Sequence, residues 1–577
     1  MDSSGENSIC YQSLADESEI AQTGIHMLLN NGFREAKLLF DSHKNESPLM
    51  HAGSTFVLFM QALMSFEEER IEEATKALQE TEKKCDPESG VFKTLRRKFS
   101  KKKRHQEVQI GSEDRMQRQI IIADSLLYQA VLTFTHQDIP SYIKGGWLLR
   151  KAWKIYERLH RDITEMLSRH SQTKLSQSTD SISSNNSDVR LTSDSTCTDG
   201  NDNELTQDVL ERLLGAVNFG YGTFQLCVSM VPPKILKLIE FLGFEGDRTA
   251  GLAALNETSN SKDMKAPLAI LGLLWYHTVL RPFFALDGIK ISAGICDAEL
   301  LIKNREKEFP RSSLFLFFKG RVHTLKRENE LALSLYRQAL TVAAGQREIE
   351  LMCLYEIGWC NLMKLRWTEC LYAFQRLRDE SKWSKCYYSY LLAVCHGSLG
   401  DVEDAQNIFQ DVPSLVRSKN NQIESFASHR AEKMKSNQVT QEFCKLFTLE
   451  LVFLWHALPT CTDDELRRML TVCESQTDAR IFHLKCLLEG TIHKELGDTE
   501  LAIQYLEEAL ARCSGKKDDV HVAAFSLYEL ASIYITDEPA KSIQLLQCIK
   551  EKYKDYHFEN RLTVRANNML RNLKPAG

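Results

Sequence analysis

Turn formers are scarce in this chain. Its 577 residues include 27 glycines and 12 prolines, about 7% of the total against roughly 12% in average proteins. That argues against a many-stranded sandwich or barrel, which needs a turn roughly every 8–12 residues. An excess of one charge is lacking too: 72 Lys+Arg face 78 Asp+Glu, a net of −6, which gives no overall attraction to nucleic acid or anionic lipid. None of the 16 cysteines stands in a C-x-x-C pair, so neither a zinc site nor a redox pair is begun. Cys353, Cys360, Cys395 and Cys486 sit among apolar neighbours and read as reduced core thiols. The candidate membrane span, Ala266 to Leu280, makes about 22 Å of helix against a hydrocarbon core of ~30 Å, and reads as a buried helix. The opening MDSSGENSIC is polar and acidic, with no apolar core of a signal peptide, so a cytoplasmic location is expected. What is present is ordinary for a globular chain: 43% hydrophobic and 26% charged residues, enough to bury a core.

The C-terminal half repeats itself. When 313–344 is laid on 483–514, Gly320, Ala332, Tyr336 and Ala339 fall on Gly490, Ala502, Leu506 and Ala509. The offset is five times the 34-residue period of a tetratricopeptide repeat, which is a pair of antiparallel helices. Small side chains let the two helices approach, and the large one fills the gap beside them. LGD at 399–401 and at 496–498 stops a first helix, as glycine does at helix C-termini. Gly358, Cys370, Phe374 and Leu377 form another unit, with Trp367 at its turn; Ala393, Ala405, Phe409 and Val412 form a further one, closed by Pro413. Ala531 and Tyr534 mark a degenerate unit before Pro539. Ala36 with Phe40, then Ala62, Ala74 and Leu78, and then Ala152 with Tyr156 carry the pattern toward the N-terminus.

Three stretches interrupt it. Residues 92–107 are strongly basic. Residues 170–206 are rich in Ser, Thr, Asn and Asp and too poor in aliphatics to offset their ordering entropy, so disorder is expected. Residues 414–440, polar and charged, read as a long exposed helix or loop. The expected organisation is all-α: an N-terminal helical repeat region at 1–169 with a basic loop at 92–107, a disordered insertion at 170–206, a middle helical segment at 207–305, and C-terminal tetratricopeptide hairpins in a solenoid at 306–577.

The middle segment has its own character. Leu210, Leu213, Leu214, Val217, Tyr221 and Phe224 keep helical spacing, yet Gly215, Gly220 and Gly222 share the helix. Each costs about 1 kcal/mol relative to alanine, so close packing against another helix, or a kink, is expected. Pro232 and Pro233 suit the first turn of a helix ending at Gly243, and Asp247 is placed to cap the next. The run SMVPPKILKLIEFLGFEGDRTAGL, preceded by NFGYGTF and followed by LGLLWYHTVL, resembles the signature of the tetratricopeptide repeat protein 39 family, related to fungal mitochondrial-outer-membrane and inclusion-body-clearance proteins. The length is nearest the C-type member. The resemblance implies a non-enzymatic repeat protein that binds other proteins, with no catalytic motif to carry over.

Signatures of chemistry fail one by one. His160-Arg161-Asp162 mimics a kinase catalytic loop, but Leu167 stands where a metal-binding Asn is required. Gly220-x-Gly222 is followed by Gln225 where a dinucleotide fingerprint needs glycine, and Ser514-Gly515-Lys516 lacks the other residues of a phosphate loop. No catalytic residue, cofactor or metal is expected. In the repeats, the positions that line a superhelical groove read Phe317, Arg321, Tyr355, Trp359, Tyr387, Tyr390 and Tyr528. An open groove of this kind would grip an apolar helix or peptide of a partner. Alternatively the chain's own middle helices fill it, which sends partners to the outer face. The expected function is a cytosolic adaptor or scaffold for other proteins, in cilium assembly or organelle-linked trafficking. A second class is a peripheral adaptor on an anionic membrane surface, of a mitochondrion or lipid droplet, held by Arg96, Arg97, Lys98, Lys101, Lys102, Lys103 and Arg104 and switched by phosphorylation at Ser100. The plainer reading of that run is a solvated loop.

Overall fold

The computed structural model describes residues 5–86, 111–136, 138–180, 205–229, 246–286, 292–418, 421–435, 438–513 and 519–573. The basic run 92–107, residues 181–204 of the polar tract, and the expected helix between Pro232 and Gly243 lie outside them. Among the described residues every regular element is helical. The fold is all-α, as the shortage of turn formers requires. Contacts divide the chain into two compact units: Met1–Leu28, Gly32–Met60 and Ile71–Leu273 make the first, and Leu29–Asn31, Gln61–Arg70 and Leu274–Gly577 the second. The division falls inside the segment set apart as the middle of the sequence.

The first unit contains most of α1 (Gly5–Leu29), α2 (Phe33–His43), α3 (Pro48–Ser65) and α4 (Glu68–Cys85), then α5 (Ser112–Phe134), α6 (Ile139–Asp180), α7 (Gln207–Ser229), α8 (Arg248–Ser259) and the start of α9 (Ala266–Trp275). Phe40 of α2 is fully buried and wedged between two glycines. A methyl on Gly24 would lie 2.3 Å from its ring, and one on Gly53 2.5 Å. Tyr156 of α6 fills the same role against Gly220 of α7, where an added methyl would also come within 2.3 Å. Its hydroxyl donates to Asp124 Oδ1 at 2.7 Å. Gly222 abuts the backbone of α8 at Gly251, so the glycines of α7 serve close helix packing. Asp247 caps α8 as expected, accepting from Thr249 N and Ala250 N.

Residues 170–180 depart from the expected disordered insertion: they continue α6 to Asp180. Where its side chains are described, the helix pairs Arg169 with Glu165 at 2.6 Å, and the Ser171 hydroxyl donates to Leu167 O. His170 Nε2 reaches Leu205 O at 3.0 Å, and Leu205 is buried.

In the second unit α9 passes through a π-helical turn, Tyr276–Leu280, to Phe283. α10 (Ile295–Arg305) follows, then the repeats: α11 (Ser313–Leu325) with α12 (Asn329–Val342), α13 (Arg347–Met363) with α14 (Trp367–Glu380), and α15 (Lys385–Leu399) with α16 (Val402–Asp411). After these come α17 (Gln422–Lys435), α18 (Gln441–Leu454) and α19 (Asp463–Glu474). α20 (Phe482–Leu496) pairs with α21 (Thr499–Cys513), and α22 (Val520–Ile533) with α23 (Pro539–Lys552); α24 (Glu559–Leu573) ends the described chain. The sequence pattern now has its geometry. An added methyl on Gly320 would lie 2.5 Å from Tyr336, on Gly358 2.5 Å from Phe374, and on Gly490 2.7 Å from Leu506. Gly400 and Gly497 end α15 and α20 with φ of 104° and 88°, the left-handed conformation that only glycine adopts without strain. The stretch 414–440 differs from its exposed expectation: α17 buries Phe426, Ala427, Arg430, Ala431 and Met434.

The glycine contacts give a direct test. Gly358→Ala should lower the unfolding free energy by about 1–3 kcal/mol, because the methyl overpacks Phe374. Gly272→Ala in α9, where nothing lies within 4 Å, should be neutral or gain up to about 1 kcal/mol from helix propensity. Denaturant titration of both variants checks this, and equal midpoints would contradict it.

Candidate functional site

The groove-lining positions come from the first helices of the repeats, where a 34-residue period brings residues far apart in sequence onto one face. The structure does bring several together, but packed against the chain itself. Phe317 is buried on Tyr336, with ring centroids 5.7 Å apart. Arg321 donates to Glu356 Oε2 at 2.9 Å and to Thr278 O at 3.1 Å, so it ties the π-helical turn to the repeats. Tyr355, Trp359 and Tyr387 surround Trp455, which follows α18. Trp359 stacks on it at 5.2 Å and Tyr387 at 5.3 Å, nearly parallel. Trp455 Nε1 donates to Tyr355 Oη at 2.8 Å. Tyr390 stands apart from this cluster, fully buried between Phe409 and Phe426. Tyr528 lies under the Arg565 guanidinium at 4.8 Å.

The occupants of this face are thus Trp455, the turn after α9, and α24. The middle helices are the expected occupants; Trp455 and α24 are not. Arg561, Arg565 and Asn568 recur at helical spacing along α24 and face the aromatic residues. The Arg561 guanidinium covers Phe283 at 4.3 Å, Phe558 at 4.7 Å and Trp455 at 5.4 Å. Arg565 meets His456 Nε2 at 3.1 Å, and Asn568 donates to Phe284 O at 3.0 Å. Burial, then repulsion from Arg565, pushes Arg561 down to about 10. Trp359 Nε1 and Tyr387 Oη face Tyr355 Oη without making a hydrogen bond of normal geometry, and Tyr528 Oη and Arg565 Nε are likewise unpartnered. The residues expected to form an open groove are therefore a polar-edged aromatic core. Rings of this size gain more from stacking on one another than from water.

A second polar cluster lies beside it. Arg430 of α17, buried, donates to Glu450 Oε2 of α18 at 2.9 Å and to Asp519 Oδ1, just before α22, at 2.8 Å. His521 Nε2 meets Glu450 Oε1 at 3.0 Å, and His483 Nε2 meets Asp519 Oδ2 at 3.1 Å. Burial opposes ionisation of Asp519, but Arg430 and His483 outweigh it and hold the carboxyl well below its usual range. Each charge here has its partner, so the cluster pins α17, α18, α20 and α22 together. Over it lies His557, within ring contact of Phe426, His429 and His521. Burial first, then His521, His429 and Arg430, pushes it down to about 4.

Paired antiparallel helices with a small-residue seam, stacked in succession, define a tetratricopeptide-repeat protein. The tetratricopeptide repeat model matches residues 486–514, the α20–α21 hairpin. The chain belongs to the Iml2/Tetratricopeptide repeat protein 39 family, whose model matches residues 22–496. Among solved structures it is similar to a chain of the APC/C hetero-tetramer Cut9-Hcn1, at 11% identity over 98% of each chain and a TM-score of 0.24. It is also similar to yeast Tom70, at 10% identity over 97% of this chain and 96% of that one, with a TM-score of 0.26. Nothing about binding follows from likenesses so remote.

His557 makes the packing pH-sensitive. Its folded-state value lies below the ordinary 6.5, so the unfolded chain takes up a proton that the folded one refuses. The stabilisation is full above about pH 6.5 and is lost as pH falls toward 4. The melting temperature should therefore drop between pH 7 and pH 5, and drop less in His557→Gln. Equal drops would contradict this placement.

Proposed function

We propose that the chain is a non-enzymatic scaffold that binds other proteins on the outer faces of its repeats. The observation that carries this reading is the occupied inner face. With Trp455 and α24 lying against Trp359, Tyr387 and Tyr528, a partner meets the second helices and loops instead. Those helices present large apolar side chains: Leu331 of α12 is 46% exposed, Tyr372 of α14 65%, and Leu501 of α21 43%. Leu331 and Leu501 occupy the same position of the repeat, each one residue before the alanine of its second helix. Scattered exposed hydrophobes are common on soluble proteins. That two of the three recur at one repeat position is a reason to place recognition on this face, and family membership supports protein binding as the activity. The setting, whether cilium assembly or organelle-linked trafficking, belongs to the partners.

Proximity labelling in living cells tests this. Leu331→Asp/Tyr372→Asp should lose neighbours that the wild-type chain labels while its melting temperature is unchanged. Tyr355→Ala/Trp359→Ala should lose stability. An outer-face variant that keeps every neighbour, beside a folded inner-face variant that loses them, would return recognition to the inner face.

A further inference from the structure

α6 begins with an apolar stripe left exposed among the described residues. Ile139 is 74% exposed, Ile143 42% and Trp147 50%. At about 100° per residue these three positions fall on one face. The opposite face is fixed: Gly145, Leu149, Ala152 and Tyr156 are buried, and a methyl on Gly145 would lie 2.4 Å from Phe134. The stripe is therefore held outward by tight packing behind it.

Within its first five turns the charged residues are all cationic, and the first acidic one, Glu157, follows directly. From Ile139 to Tyr156 the sequence has Lys144, Arg150, Lys151 and Lys154 and no acidic residue. Lys144, Lys151 and Lys154 are exposed, and none takes part in an ion pair among the described residues. The Arg150 guanidinium lies over the Trp147 ring at 5.6 Å. Projected down the helix, the cations interleave with the apolar side chains across a face of about 140°.

We infer that this face of α6 docks on an anionic lipid surface. A headgroup layer suits interleaved chemistry: apolar tips and a tryptophan enter the boundary with the acyl chains, while lysine stems reach back to the phosphates. A protein groove that took the same apolar tips would have to bury unpaired ammonium groups between them, which is costly. The site belongs to the first unit and the proposed protein-binding faces to the second, so the two readings stand or fall independently.

Co-sedimentation of the full chain with phosphatidylcholine vesicles, with and without phosphatidylserine, tests the inference. The wild-type chain should pellet only with the anionic vesicles, and less as salt rises. Ile143→Ser/Trp147→Ser should weaken this roughly tenfold, and Lys144→Glu/Lys151→Glu/Lys154→Glu should abolish it, with melting temperatures unchanged because the side chains are exposed. Brominated acyl chains should quench tryptophan emission of the wild-type chain, and Trp147→Phe should remove that quenching. No vesicle binding would overturn the inference. So would binding that survives these substitutions and is lost on charge reversal at Lys101, Lys102 and Lys103, or capture of an acidic protein by this face without any affinity for vesicles.

Discussion

The contact between a glycine on one helix and a large side chain on its neighbour is what the architecture rests on. Phe40, Tyr156, Tyr336 and Phe374 each press a ring where even a methyl would collide. A helix pair without such a seam sits farther apart and leaves a gap under the ring, and interiors packed to near-crystalline density penalise gaps as well as overlaps. The same device appears in both units. It explains why glycine, otherwise avoided in helices, persists in the middle of α7, α11, α13 and α20.

Stacking hairpins this closely produces a concave side, and the chain fills its own. Trp455 supplies the central ring, α24 supplies arginines that lie over rings rather than beside carboxylates, and the turn after α9 supplies Phe283 and a carbonyl for Arg321. Beside this, Arg430, Glu450, Asp519, His483 and His521 form a polar core in which every carboxylate meets a cation or imidazole. Buried ion pairs of this kind contribute little net stability over an apolar core, but each member is costly to remove alone. They fix which helices meet, which a seam of aliphatics would leave less defined. The consequence is that the aromatic positions of the first helices are used in packing, so the proposed recognition rests on the side chains left exposed.

The repeats were legible in the sequence because local rules write them. The small-small-large pattern from Gly320 to Ala339 lies within one hairpin, and the left-handed stops at Gly400 and Gly497 and the Asp247 cap act within a few residues of themselves. The inner face was legible only as a list of aromatic positions. Its occupants come from far along the chain: Trp455 is 100 residues from Tyr355, and Asn568 is 284 from Phe284. Periodicity within a hairpin says nothing about such pairings. The stretch 414–440 looked like solvent-exposed chain because Arg430 is charged, and its carboxylate partners 20 and 89 residues away carry no signal in the local pattern. Residues 170–180 looked disordered by composition, yet they continue the helix that precedes them, with His170 held to Leu205 O and Ser171 to Leu167 O.

The central claim is that α24 is an integral occupant of the inner face rather than a loosely attached end. Hydrogen exchange of the full chain under native conditions measures this, helix by helix. If the account is right, the amides of Glu559–Leu573 open with nearly the same free energy as those of Val520–Ile533, on which they pack. Exchange of α24 orders of magnitude faster, with the rest of the second unit protected, would show the inner face to be open and the account to be wrong.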